Sequence, residues 1–509
     1  MIILDGTSLT CADVAAIGRR LAPVEIGAPG RARASAAAAA VRTLPAHAVY
    51  GRTTGVGANK SVQVRVGDAA TGLRLVRSHA SGAGPLVAPE VSLAMLAVRA
   101  NQIAVGGAGV DPGVLDVLAE CVNHGLRPPV RRYGAIGTGD LPALAVTALC
   151  LLGERDWLPP TDGAEVGPLV TVDASAATAA QPTTAPAADR AARQPRFALD
   201  PGDMLAFLSS NAATLTEAAI ACHDMSKLLG AGTVIAALGH LAAGASTESY
   251  AEAVQRARPY PGQVRVAADL RVLLAGQAAS AARIQDSYGY RALPHVHGAA
   301  IDAVEHATQV VTCDLNAAAE NPLIDVAGQR FWHNGNFHTA YVALALDAAR
   351  AAVFQAASLS VARLGALLDD RATGLTPFLA HDTPPSSGLM VVEYAAHSAL
   401  ADIRRLAAPV VLGDAVLSIG VEEHAGFGTQ AAWSATDVAR AYEILLACEL
   451  VGAVRALRLR SGRPPSGPLR RAFDQADKVL PAGLADRPLD ADIAAAGQLL
   501  AGMAALLSG

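Results

Sequence analysis

Aromatic residues make up only 4 % of this 509-residue chain and charged residues only 17 %, while 52 % are hydrophobic on a wide count. A chain so poor in charge and so rich in apolar side chains is not disordered throughout. Clusters of β-branched residues are also scarce, and Ala and Leu dominate, which favours long buried helices over sandwiches or barrels. Forty basic against forty-five acidic residues leave a net charge of −5 and a pI near 6.2. That balance, with no charged tail, excludes a nucleic-acid footprint. The six cysteines, Cys11, Cys121, Cys150, Cys222, Cys313 and Cys448, contain no C-x-x-C pair. They read as small buried hydrophobes. A signal-peptide pattern is missing, since Asp5 interrupts MIILDGTSLT before any apolar region develops. The longest apolar stretch, around Leu141 to Leu152, falls short of the roughly 18 residues of a spanning helix. The expectation is a cytoplasmic protein with no nucleic-acid or membrane partner.

What remains is a helical pattern interrupted by punctuated loops. Val91, Met95, Val98 and Ile103 recur at near-helical spacing and predict a helix from about Pro89 to Val105. Asp140 is placed to cap the next helix, through LAVTALCLLGE. Residues 170–196 mix Ala, Thr and Pro with almost no large apolar residue and read as an exposed flexible insertion. Helical patterns then run to about residue 455, as in a bundle whose inner helices are hydrophobic on every side. The expected organisation is a loop-rich N-terminal domain over residues 1–200, a central bundle over 201–455 and a C-terminal helical region over 456–509. No repeat of solenoid period is present.

The chemistry gathers where glycine breaks these helices. YGRTTGVG begins at Tyr50, SHASG at Ser78 and GAIGTGDL at Gly134; QDSYGYRALPHVHG runs from Gln285, NGNFH from Asn334 and VEEHAG from Val421. Tyr50, His79, Tyr288 and Arg291 are the side chains best suited to proton transfer and carboxylate binding. Each cluster also has a plain structural account, in which glycines turn the chain and polar groups cap helices. Other motif readings fail on detail. GVGANKS has Asn59 where a phosphate loop requires glycine before the lysine. GAIGTGDL has the wrong spacing for a dinucleotide fingerprint and no preceding strand. His295, His297, His333 and His338 lack the H-E-x-x-H spacing, so no metal is expected.

In order along nearly the whole chain, these clusters resemble the histidine ammonia-lyase family, which includes the phenylalanine and tyrosine ammonia-lyases and aminomutases. YGRTTGVG is similar to the family's Y-G-x-N-T-G-F-G, SHASGAG to S-H-A-A-G-x-G, and GTGDLPALA to A-S-G-D-L-A-P-L-A. QDSYGYRALPHVHG is similar to Q-D-x-Y-S-x-R-x-x-P-Q-V-x-G, NAAAENPL to N-A-x-x-D-N-P-L, NGNFH to G-G-N-F-H, and VEEHAGFGT to Q-E-D-H-V-S-M-G-T. The resemblance implies an all-α fold with the long central bundle of the aromatic amino acid lyase (fumarase/aspartase-like) type. It also implies a homotetramer whose active sites draw on three subunits.

The activity it implies is elimination of ammonia from an α-amino acid to give an α,β-unsaturated acid. No external cofactor is implied, because the family builds an internal electrophile, 4-methylidene-imidazol-5-one, from Ala-Ser-Gly. Tyr50 matches the general base, Arg291 the carboxylate clamp, Tyr288 the tyrosine lining the electrophile and Gln285 the amide close to the substrate. Phe337 matches the aromatic packed against the prosthetic group. His79 and Glu422 match the positions that face the imidazole in histidine-specific members, which favours a polar or imidazole-bearing substrate. Without the resemblance, Arg291 reads equally as an ion-pair partner and Phe337 as core.

The chain departs from the family where the electrophile is made. Aligned back from Asp140, the tripeptide is Gly137-Thr138-Gly139. Glycine at 137 leaves cyclisation by the Gly139 nitrogen possible, whereas dehydration of Thr138 would give a methyl-bearing, more hindered alkene. The family's supporting Asn falls within FLSSNAAT, at Ser209 or Ser210 unless Asn211 shifts into its place; Thr53 and Val421 replace the loop Asn and the Gln before Glu422. Three readings follow: a lyase or aminomutase with a modified electrophile, an eliminase on the same scaffold lacking it, or a non-catalytic homologue that binds a ligand.

Overall fold

The computed structural model describes residues 1–44, 49–65, 67–160, 194–276, 284–381 and 385–507. The expected insertion at 170–196 lies almost entirely outside the described residues. The fold is all-α, with β-structure among the described residues confined to two-stranded ribbons. These pair Ile2–Leu4 with Val24–Ile26 in parallel, and Ala83–Leu86 with Arg131–Tyr133 and Leu323–Asp325 with Arg330–Trp332 in antiparallel fashion.

The long helices are Ala212–Ala243, Leu293–Leu315, Ala340–Leu368, Met390–Leu406 and Gly428–Leu459. Gly428–Leu459 is central, packing on Ala212–Ala243, Ala340–Leu368 and Met390–Leu406. Ala and Gly recur along these helices, and small side chains let the axes approach closely while dispersion contacts accumulate. The approach is tightest where Pro261–Leu273 crosses Leu293–Leu315, since a β-carbon on Gly262 would collide with the Gly298 carbonyl. The expected Pro89–Val105 helix forms with those bounds. It packs with Cys11–Gly18 onto Ala212–Ala243, so one hydrophobic core runs from Leu4 to Ala504. Asp490–Ala505 closes the other side of the same central pair.

Two helical stretches, Met204–Ala243 and Ala340–Leu368, are long and apolar enough by composition to cross a membrane. Uninterrupted runs do not reveal them, because polar residues punctuate both: Ser, Asn, Thr, Glu, His, Asp and Lys in the first, Asp, Arg, Gln and Ser in the second. The first is 78 % buried within the fold, as a core helix is, whereas the second is only 50 % buried. Tyr341 and Leu344 on that second helix stay exposed, as do Val391 and Tyr394 on the neighbouring Met390–Leu406. One charge pair lies deep in the core: Arg363 is 2.6 Å from Glu449, both fully buried, which offsets the desolvation of each. Five cysteines are buried free thiols and Cys313 is exposed. Burial pushes the Cys150 thiol up to about 12, so it behaves as a small hydrophobe.

Candidate active site

A cavity of about 480 Å³ opens where several loops meet, and its wall includes Tyr50, Thr138, Gly139, Ser209, Phe337 and Glu422. Lys60, Asn321 and His333 line it as well. Four helices begin against residues 136–140: Leu141–Leu151 after Asp140, Ala212–Ala243 after Asn211, Ala340–Leu368 after Thr339, and Gly428–Leu459 after Phe427. Their N-terminal N–H groups and aligned peptide dipoles bring positive partial charge to these residues, partly offset by the buried Asp140 carboxylate.

The tripeptide 137–139 is suspended among those helix starts. Gly137 and Gly139 adopt φ of +88° and +110°, a region that glycine enters without the clash a β-carbon brings. The Gly137 carbonyl oxygen accepts from the Thr339 amide at 3.1 Å and from the Thr339 hydroxyl at 2.8 Å. On the other side the Gly139 N–H donates to Asn211 Oδ1 at 3.0 Å, while Asn211 Nδ2 donates to the Phe337 carbonyl at 2.6 Å. With both ends of its amide committed, Asn211 has one orientation that satisfies all partners. Asn211 is therefore the residue that reaches the tripeptide. Ser210 Oγ instead donates to Gln102 Oε1, and Ser209 Oγ accepts from the Asn321 amide.

Asp140 occupies the expected N-cap position but does not cap its own helix with its side chain. Its carboxylate accepts from the Thr214 amide at 2.7 Å and the Thr214 hydroxyl at 2.8 Å, tying the tripeptide to the Ala212–Ala243 helix. Burial pushes the carboxyl up to about 6, against the lowering effect of those bonds. Deeper still, Arg99 pairs with Glu320 at 2.9 Å and donates to the Ala206 and Phe207 carbonyls, fixing the segments that carry Ser209 and Asn321.

Tyr50 stands at the start of a loop that folds back on itself. Gly57 N–H donates to the phenolic oxygen at 2.7 Å, and the Tyr50 amide donates to His333 Nε2 at 3.1 Å. The latter bond requires neutral His333 with its proton on Nδ1. Ser418 Oγ accepts from Ala58 N–H, joining this loop to the one that brings Glu422. Between them, His338 Nε2 lies 3.0 Å from His424 Nδ1. Burial followed by the neighbouring imidazole lowers the His338 pKa.

Four residues singled out from the sequence are not brought to this cavity within one chain. His79, the last residue of Ala69–His79, borders a separate space of about 340 Å³ behind the Tyr50 loop, and its Nδ1 is engaged with the Leu75 carbonyl. Within one chain the segment from Gly51 to Asn59, which lines that same space, lies on the side of His79. Gln285 and Tyr288 are exposed and Arg291 is half-buried, and none of the three lines this cavity. Tyr288 is 67 % exposed, and the Arg291 guanidinium lies 4.6 Å over its ring. Conversely, sequence reasoning overlooked Lys60, Asn321, His333 and Thr339. His333 was legible only as one histidine among several, and Thr339 has no chemistry until its neighbour is known.

The family model for aromatic amino acid lyases matches residues 9–478. Histidine ammonia-lyase of Sorangium cellulosum is 34 % identical over 98 % of this chain and 97 % of that one. The enzyme of the same name from Streptomyces coelicolor is 34 % identical over 97 % and 95 %. Among solved structures, histidine ammonia-lyase from Trypanosoma cruzi superposes with a TM-score of 0.85 at 26 % identity, covering 100 % of this chain and 95 % of that one. Tyrosine aminomutase from Streptomyces globisporus gives 0.85 at 25 % identity, covering 100 % and 98 %. Fold and likeness together define a carbon–nitrogen lyase. The chain belongs to the aromatic amino acid lyase family.

Proposed function

We propose that this protein eliminates ammonia from histidine or a closely similar α-amino acid, giving the α,β-unsaturated acid, as a cytoplasmic homotetramer. The observation that carries the reading is the meeting of the Tyr50 phenol, Thr138 and Glu422 around one cavity. The family implies an internal imidazolone electrophile, and residues 137–139 fit its formation. The Gly137 carbonyl is held by two donors, the Gly139 nitrogen is held by Asn211, and both glycines have the backbone freedom a ring closure needs. When formed, such a group supplies electrophilic assistance to the departure of ammonia.

The chain's own residues supply the rest. Tyr50 takes the β-proton, its oxygen being located by the Gly57 amide. Glu422 accepts from the polar end of the substrate side chain, and Phe337 would pack against the internal group. Arg291 clamps the carboxylate through its planar fork, Tyr288 lines the position of the internal group and Gln285 brings its amide close to the substrate. Because those three lie away from the cavity, they are assigned to the site of a neighbouring copy. The half-uncovered Ala340–Leu368 helix, with Tyr341 80 % exposed, supports such an assembly.

Thr138 in place of serine favours one second reading, elimination on the same scaffold without the internal group and with a better leaving group. The test is to incubate the purified protein with L-histidine and with aromatic amino acids, following ammonia and the absorbing unsaturated product. Release from histidine is expected. If no amino acid yields ammonia, the first reading fails and the second becomes the working one.

A further inference from the structure

We infer that Thr339 is the positioning residue that drives backbone cyclisation at residues 137–139, acting as a two-donor oxyanion hole on the Gly137 carbonyl. This deepens the proposed function and rests on it. Thr339 is 1 % exposed, and both its amide and its hydroxyl point at the same oxygen, at 3.1 and 2.8 Å. It immediately precedes the 29-residue Ala340–Leu368 helix, so the carbonyl oxygen also sits at the positive end of that helix dipole.

The same contact accounts for glycine at 137. A β-carbon there would lie 2.5 Å from Thr339 Oγ1 and 2.6 Å from the Gly428 nitrogen. A side chain at 137 would push the hydroxyl off the carbonyl. Glycine at 137 and threonine at 339 are thus complementary parts of one contact, although 202 residues separate them.

The chemistry balances without an oxidant. The Gly139 nitrogen bonds to the Gly137 carbonyl carbon, and the carbonyl π pair moves onto oxygen, which gains the proton that the Gly139 nitrogen loses. That oxygen then leaves as water with the Thr138 amide proton, forming the C=N bond. A second water leaves with the Thr138 hydroxyl and its Cα proton. Negative charge develops on the Gly137 oxygen only in the first step, where the two Thr339 donors face it. Asn211 Oδ1, accepting from Gly139 N–H, increases electron density at the attacking nitrogen. The two residues therefore polarise the pair of reacting groups in opposite and productive senses.

The experiment is intact and peptide mass measurement of the full chain against time after synthesis, for the unaltered protein, Thr339→Val, Thr339→Ala and Thr339→Ser, with thermal melting as a check of folding. The unaltered protein and Thr339→Ser are expected to become lighter by two waters within the 137–139 peptide. Thr339→Val is expected to convert about 100-fold more slowly, the effect of losing one oxyanion donor. If the valine side chain prevents folding, Thr339→Ala carries the same comparison. Equal conversion rates in the unaltered protein and the folded Val or Ala variant would overturn the role of Thr339 alone. An unaltered protein at its unmodified mass would overturn the internal-electrophile reading and this inference with it.

Discussion

The Gly57 amide donates to the Tyr50 phenolic oxygen at 2.7 Å, closing a loop that returns the chain to its own base within seven residues. The oxygen is thereby located by a backbone donor and keeps lone-pair capacity for the proton it takes. Gly57 reaches this position with φ of +56°, against the Ser418 hydroxyl, so the loop's glycines serve the placement of one atom.

Tyr50→Phe therefore removes the base and leaves the loop anchored through the Tyr50 backbone and His333. Turnover should fall by about 100-fold or more, the usual yield of a positioned general base. Substrate affinity should change little, since the phenol's task is confined to proton transfer. Steady-state rates together with calorimetric binding check this; undiminished turnover would remove Tyr50 from the mechanism.

Asn211→Ala takes away the acceptor of Gly139 N–H and the donor to the Phe337 carbonyl at a site 3 % exposed. Two part-buried backbone groups at the cavity wall lose their partners, so stability should drop by about 1 kcal/mol for each lost bond. Urea denaturation measures this directly. Asn211→Asp retains the acceptor but sets carboxylate oxygen against the Phe337 carbonyl. It should match or exceed the alanine loss, and a neutral effect would show that the Phe337 contact is dispensable.

The sequence made the helices legible because their apolar texture is local, as with Pro89–Val105. It made Tyr50 legible as a proton-transfer group in a glycine-broken loop, and Thr138, Phe337 and Glu422 legible through the family resemblance; all four line one cavity. Thr339 and Asn211 were harder, for a physical reason. Their significance lies in which backbone atom they face, and the partners sit 202 and 72 positions away. Asp140 shows the same limit: its spacing announced a helix cap, yet its carboxylate is claimed by Thr214 on another helix. A local rule names an available partner, and tertiary packing decides which one wins.

Asp140 also sets a pH dependence. Its carboxyl rises from an ordinary 3.8 to about 6 in the fold through burial, so folding favours its protonated form. The contribution to stability is present below about pH 4 and is lost as pH rises through about 6, amounting to about 3 kcal/mol by linkage. Asp140→Asn cannot titrate and should show a flatter stability profile between those values. Chemical denaturation of both proteins at pH 4 and pH 6.5 tests the sign. Equal pH slopes would show that Asp140 is ionised in the fold throughout.

Assignment of Tyr50 and Arg291 to different copies around one site makes a prediction that a single-chain site does not share. Tyr50→Phe and Arg291→Ala should each be nearly inactive alone, the first for want of a base and the second of a carboxylate clamp. When the two variants are co-expressed, some cavities in a mixed assembly draw their tyrosine from one parent and their arginine from the other. Those cavities are complete, and activity should return to a substantial fraction of the unaltered level. Mixing after separate purification should restore less, because subunits already assembled exchange slowly. If co-expression restores nothing while both variants assemble together, Arg291 serves the same chain's cavity or none, and the clamp must be sought among residues already there. Lys60, the cation on the cavity wall, would then be the residue to replace next.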